Sequence, residues 1–133
     1  MDKLTWAKNY FHNDIFATNT TGIEILKAEE NYAKCLLNIK NSHMNANNSV
    51  MGGVIFTLAD FCFAVASNSE HKIVPTISTT INFLSVSKGA KLFAETTCIK
   101  SGKSICVYTI NITDEFNHLI AICTSTGKVS VWQ

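Results

Sequence analysis

The chain has 133 residues, 11 Lys and Arg against 10 Asp and Glu, and 47% hydrophobic content. A single domain over residues 1–133 is expected at this length. The near-neutral balance, with no run of Lys or Arg, excludes the electrostatic footprint of a nucleic-acid binder. Charged residues make up only 16%, so part of the apolar surface is expected to be covered by another subunit.

The first residues lack the basic start and unbroken apolar stretch of a signal peptide, and no run approaches the ~18 residues of a membrane span. A cytoplasmic protein with no membrane partner is expected. The five cysteines include no Cys-x-x-Cys pair and none with a His at zinc-ligand spacing, so reduced thiols and no metal are expected. Nothing in the sequence calls for a cofactor.

Residues 4–11 read as a short amphipathic helix, with Leu4, Ala7, Lys8 and Phe11 at helical spacing. Residues 21–28 and 32–39 read as two strands joined by a hairpin turn. A polar loop, Ser42 to Val50, follows. The chain then turns through Met51-Gly52-Gly53 into an apolar helix over 52–69 whose only acid is Asp60. A helix apolar nearly all round must be wrapped on most sides.

The second half reads as strands over 74–84, 91–100, 104–113 and 118–129. Alternation in the second sets Leu92, Ala94, Thr96 and Cys98 against Phe93, Glu95, Thr97 and Ile99. In the first it sets Ile77, Thr79, Ile81 and Phe83 on one face and Thr76, Ser78, Thr80 and Asn82 on the other. Six antiparallel strands and one central helix predict an α+β fold in which a curved sheet wraps the helix. His12, His43 and His118 read as surface residues.

Asp60 calls for explanation, because burying an unpaired carboxylate costs several kcal/mol or makes it hold its proton. A structural bond to a hydroxyl such as Thr57 is one reading; a catalytic acid is the other. Gly52 and Gly53 open the helix, where unpaired amides and partial positive charge suit a carbonyl oxygen or oxyanion. Asp60 lies eight residues beyond Gly52, about 12 Å along a helix axis. One reacting carbon cannot touch both. If they serve one site, they come from two subunits about a two-fold axis.

The segment Asn45-Ala46-Asn47-Asn48-Ser49-Val50-Met51-Gly52-Gly53, followed by Leu58-Ala59-Asp60, resembles the hotdog-fold acyl-CoA thioesterases, in particular the PaaI-like group. That group reads Asn-x-x-Gly-x-x-His-Gly-Gly and then Leu-Ala-Asp on a helix. The resemblance implies a hotdog fold and a coenzyme A thioester substrate. It also implies a homodimer or homotetramer built as a dimer of dimers. It carries over Asp60 as nucleophile or general base, the Gly52 amide as oxyanion donor, Asn45 as a thioester or water ligand and Ser78 as a hydroxyl assisting near the carboxylate. Met51, Gly53 and Lys103 are expected to contact substrate, Lys103 through phosphate. Two positions depart from the pattern. Met51 replaces the His before Gly-Gly and has no donor to offer, while Asn48 replaces a Gly and tolerates left-handed backbone. A non-catalytic acyl-CoA-binding protein is the alternative reading.

Overall fold

The computed structural model describes residues 1–131. The chain runs through α1 (Lys3–Phe11), a π-helical turn (Phe16–Thr21), β1 (Ile23–Glu29), β2 (Tyr32–Asn38), a 3-10 turn (Asn41–His43) and α2 (Gly52–Ser67). It continues through β3 (Lys72–Ile73), β4 (Thr76–Phe83), β5 (Lys91–Ser101), β6 (Ile105–Asp114), β7 (Leu119–Lys128) and β8 (Ser130–Val131). Six strands make one sheet in the order β1-β2-β5-β6-β7-β4, and β3 pairs with β8. Every pairing is antiparallel. This is the expected hotdog arrangement, a curved sheet around a central helix with a short helix before it. Among the described residues no helix is long and apolar enough to cross a membrane.

Strand alternation builds the core. On β5 Leu92, Ala94 and Thr96 are buried while Glu95, Thr97 and Ile99 face out. On β6 Cys106, Tyr108, Ile110 and Ile112 turn inward. They meet α2, which packs against all six strands of the sheet. Leu58, Phe63 and Val65 of α2 are fully buried, and each such side chain contributes roughly 1.5–3 kcal/mol. Gly127 on β7 allows the close approach: a Cβ there would lie 2.4 Å from Val74 Cγ1 and 3.0 Å from Phe63 Cζ.

The wrapping leaves one stripe of α2 open. Gly53, Phe56, Thr57, Asp60 and Ala64 recur at intervals of three and four residues and keep exposed surface, so they share a helix face. α1 docks over the other end of α2. Asp2 caps α1 by accepting the Thr5 N–H at 2.7 Å, Lys3 Nζ donates to the Ala66 carbonyl at 2.9 Å, and the rings of Phe11 and Phe61 meet edge-on at 5.5 Å.

Three expectations change. The helix stops at Ser67 rather than residue 69, because Asn68 turns its amide onto the Ala64 carbonyl and accepts the Val74 N–H on its oxygen. His43 is buried rather than exposed. The assumed alternation of β4 fails at its start: Thr76 pairs with Gly127 but Ser78 with Thr126, leaving Ile77 as an extra residue. That bulge moves Thr76 to the helix face with Thr79, Ile81 and Phe83, and leaves Ser78, Thr80 and Asn82 on the opposite one.

Candidate active site

The polar loop before α2 is held by two side chains. His43 Nδ1 accepts the Lys40 N–H at 3.0 Å, which fixes its proton on Nε2, and Nε2 donates to the Thr21 carbonyl at 2.8 Å. The His43 carbonyl in turn accepts the Met51 N–H at 2.9 Å, so this ring anchors the entry to α2. Asn45 Oδ1 accepts the amides of Asn47 and Ser49 at 2.9 and 3.0 Å. With the oxygen so engaged, the Asn45 NH2 group is the free end of the side chain. Asn48 takes the left-handed conformation at φ 59°, as an Asn at that position permits.

Met51 is the N-cap of α2 and gives it no side-chain hydrogen bond. Its carbonyl accepts the Val54 and Ile55 amides, so Gly52 and Gly53, at the first two helical positions, have no intrahelical acceptor for theirs. Gly52 lines a cavity of about 420 Å³ together with Asn45, Ile55, Phe83, Val86 and Ser87. The Phe83 ring lies over Gly52, where an added Cβ would be 3.2 Å from Cζ; an added Cβ on Gly53 meets only the Met51 side chain at 4.0 Å. Among the described residues, Ser87 Oγ is the buried side-chain oxygen without a hydrogen-bond partner, and it belongs to this cavity. Buried hydroxyls are normally matched; this one is available to a ligand.

Asp60 lines a second opening, a groove of about 370 Å³ between α2 and residues 13–17. Burial raises its pKa above the ordinary carboxylate value, the negative charge of Asp14 raises it further, and the polar Thr76 side chain nearby opposes both. Thr57 is not its partner, since that hydroxyl donates to the Gly53 carbonyl at 2.8 Å. Cys123 on β7 feels the carboxylate: burial first and the Asp60 charge second push its thiol up.

The structure therefore joins Asn45 and Gly52 in one cavity and sets Asp60 in another. Met51 and Gly53 are exposed at the helix start, outside both cavities. Ser78 is exposed on the opposite sheet face, and Thr76 holds the position beside Asp60. Lys103 is exposed in the turn between β5 and β6 and lines neither cavity. Thr76, Ser87 and Asp14 were not singled out as site residues by the sequence, whereas the alternation of β4 already set Phe83 on the face that turns toward the helix.

The amide corner and the acid thus stand about two turns apart on one helix inside a six-stranded wrap. The thioesterase superfamily model matches residues 47–121, and the chain belongs to that family. It is 29% identical over 125 residues to the acyl-coenzyme A thioesterase PaaI of Escherichia coli, covering 92% of this chain and 89% of that protein. It is 34% identical over 121 residues to an Archaeoglobus fulgidus protein provisionally named an esterase, covering 90% of this chain and 79% of that one.

The solved structure of E. coli PaaI, from the phenylacetic acid degradation operon, superposes with a TM-score of 0.87 at 25% identity, over 95% of this chain and 92% of that one. A Streptococcus pneumoniae thioesterase-type protein solved with coenzyme A gives 0.84 at 24%, over 95% and 98%, a likeness of fold. The chain is a PaaI-like hotdog thioesterase and hence a thioester hydrolase.

Proposed function

We propose that the chain hydrolyses acyl-CoA thioesters at a site completed by two subunits, Asp60 coming from one and Gly52 and Asn45 from the other. The observation that carries this reading is the separation of the two halves: one helix bears both, in different cavities. The open stripe of α2, with Asp60 on it, and the exposed edge strand β4 are the surfaces a two-fold partner would cover. A dimer, or a tetramer made of two, accounts for them. The CoA complex of the S. pneumoniae protein and the name of the E. coli relative support CoA as the thiol half of the substrate.

In the reaction, Asp60 takes a proton from water as the oxygen attacks the thioester carbon, or attacks that carbon itself. The carbonyl oxygen becomes an oxyanion held by the Gly52 N–H, with the free NH2 of Asn45 beside it. Collapse of the tetrahedral intermediate breaks the C–S bond and releases CoA thiolate, which takes up a proton. Where Asp60 attacked, water then hydrolyses the resulting anhydride. A raised carboxylate pKa suits the base role. Thr76 takes the place beside Asp60 that the resemblance gave to Ser78, and Lys103, in the turn between β5 and β6, is a phosphate contact on its position alone.

Thiol release from a panel of acyl-CoAs tests the proposal, with Asp60→Asn as control. Turnover in the wild type that falls by about 10²–10⁴-fold in the variant is expected. Undiminished turnover in Asp60→Asn contradicts it. Tight acyl-CoA binding without thiol release would favour the non-catalytic reading, for which Met51 in the His position is the observation.

A further inference from the structure

We infer that the groove between residues 13–17 and α2 is the acyl pocket, that Ile15 and Phe16 select an apolar acyl chain longer than acetyl, and that the CoA arm leaves on the opposite side. The inference rests on the hydrolytic reading above, because it takes the carbonyl carbon to lie at Asp60.

The groove begins at that carboxylate and is walled by Ile15, Phe16, Ala17, Phe61 and Ala64. Ile15 and Phe16 are large and apolar yet 57% and 64% exposed. They are set there by the π-helical turn Phe16–Thr21, which buries Ala17 and Thr21 beneath it and ends at left-handed Gly22, φ 91°. π-Helical segments are rare and recur at functional sites. The backbone thus anchors two small residues inward and displays two large ones at the rim.

Charge decides which end of the substrate enters. Asp14 and Asp60 both line the groove, and no Lys or Arg does. The phosphates of CoA would meet two carboxylates there, whereas an uncharged acyl chain meets apolar walls. The cavity at Gly52 differs: Asn45, Asn47, Ser49 and the unmatched Ser87 hydroxyl line it beside Phe83 and Val86. That mixture suits the amide-bearing arm next to the thioester. The substrate accordingly runs from the Ser87 cavity of one subunit to the Phe16 groove of its partner.

The test is calorimetric binding of S-ethyl-, S-hexyl- and S-decyl-CoA thioethers to the full oligomeric chain, for the wild type and for Phe16→Ala and Ile15→Ala. Affinity in the wild type should rise about fourfold per methylene within the groove. The variants should weaken hexyl and decyl binding by roughly tenfold and leave ethyl nearly unchanged. Ile15 and Phe16 lie on the surface, so their variants keep the fold and the comparison stays readable. Equal losses at every chain length, or a change in oligomer mass with no change in chain preference, would overturn the inference. Thiol release from the matching thioesters separates it from hydrolysis. Chain-selective binding without release supports the pocket and defeats the hydrolytic reading; release with unaltered acyl preference in the variants does the reverse.

Discussion

Thr76 on β4 faces the carboxylate of Asp60 on α2 and pulls its pKa down, an arrangement that follows from the bulge after Thr76, which turns that residue toward the helix. The Thr76 hydroxyl favours the ionised acid while burial and Asp14 disfavour it. The acid limb of the kcat/KM profile should therefore lie above the ordinary carboxylate range. Thr76→Val should move it to higher pH and Asp14→Asn to lower pH. A limb that stays in place in both variants would remove Asp60 as the titrating group.

The same carboxylate sets activity against stability. Its folded pKa is raised, so as pH rises from the unfolded value through the folded one, the unfolded chain loses its proton first and stability falls. Asp60→Asn should be more stable than the wild type at neutral pH, because the variant carries no charge for burial to penalise. The gain should vanish at pH 3. Urea denaturation at the two pH values measures it.

Gly52 can be divided into space and donor. Gly52→Ala keeps the N–H and asks the Phe83 ring to yield a few tenths of an ångström, so turnover should fall only modestly. Gly52→Pro removes the N–H at the one helical position where Pro is readily accepted, and Met51 at φ −60°, ψ 137° already has the backbone a following Pro prefers. A loss of about 10²–10³ in kcat is expected for the proline variant.

Lys3 gives a second, independent pH signature. Desolvation first, and the charge of Lys72 second, lower its pKa from 10.5 to about 8. Between those values the unfolded chain holds a proton that the folded chain has released, so stability contributed by this group rises with pH across that window. After discounting for its exposed part, ~1 kcal/mol is expected. Comparing wild type with Lys3→Met from pH 7.5 to 10.5 should show that rise only in the wild type.

Gly127→Ala tests the helix–sheet approach. Its Cβ would enter the space of Val74 and Phe63, and overpacking of this kind costs about 1–3 kcal/mol. The midpoint of thermal unfolding should fall accordingly.

Much of this architecture was legible in the residues. Alternation located β5 and β6 to within a residue or two, and the apolar run from Gly52 located α2, because both follow from burial on one side or nearly all round. The division of Gly52 from Asp60 was legible too, from helical rise alone. What escaped depended on backbone geometry that composition does not encode. The bulge at Ile77 exchanged Thr76 for Ser78, since one extra residue reverses every side chain before it. The π-helical turn Phe16–Thr21 has no apolar period to betray it. His43 looked solvent-facing because its two partners, the Lys40 amide and the Thr21 carbonyl, are backbone groups that no side-chain pattern announces.

The central claim is that each site draws Asp60 from one subunit and Gly52 from another, and mixing two inactive variants addresses it directly. Asp60→Asn and Gly52→Pro chains, co-expressed in equal amounts with different tags and purified as assembled oligomers, pair at random. In a mixed two-fold pair one site has lost both groups and the other keeps both, so about one quarter of wild-type thiol release should return. Mixed oligomers of normal mass that stay as inactive as either parent would contradict the shared site.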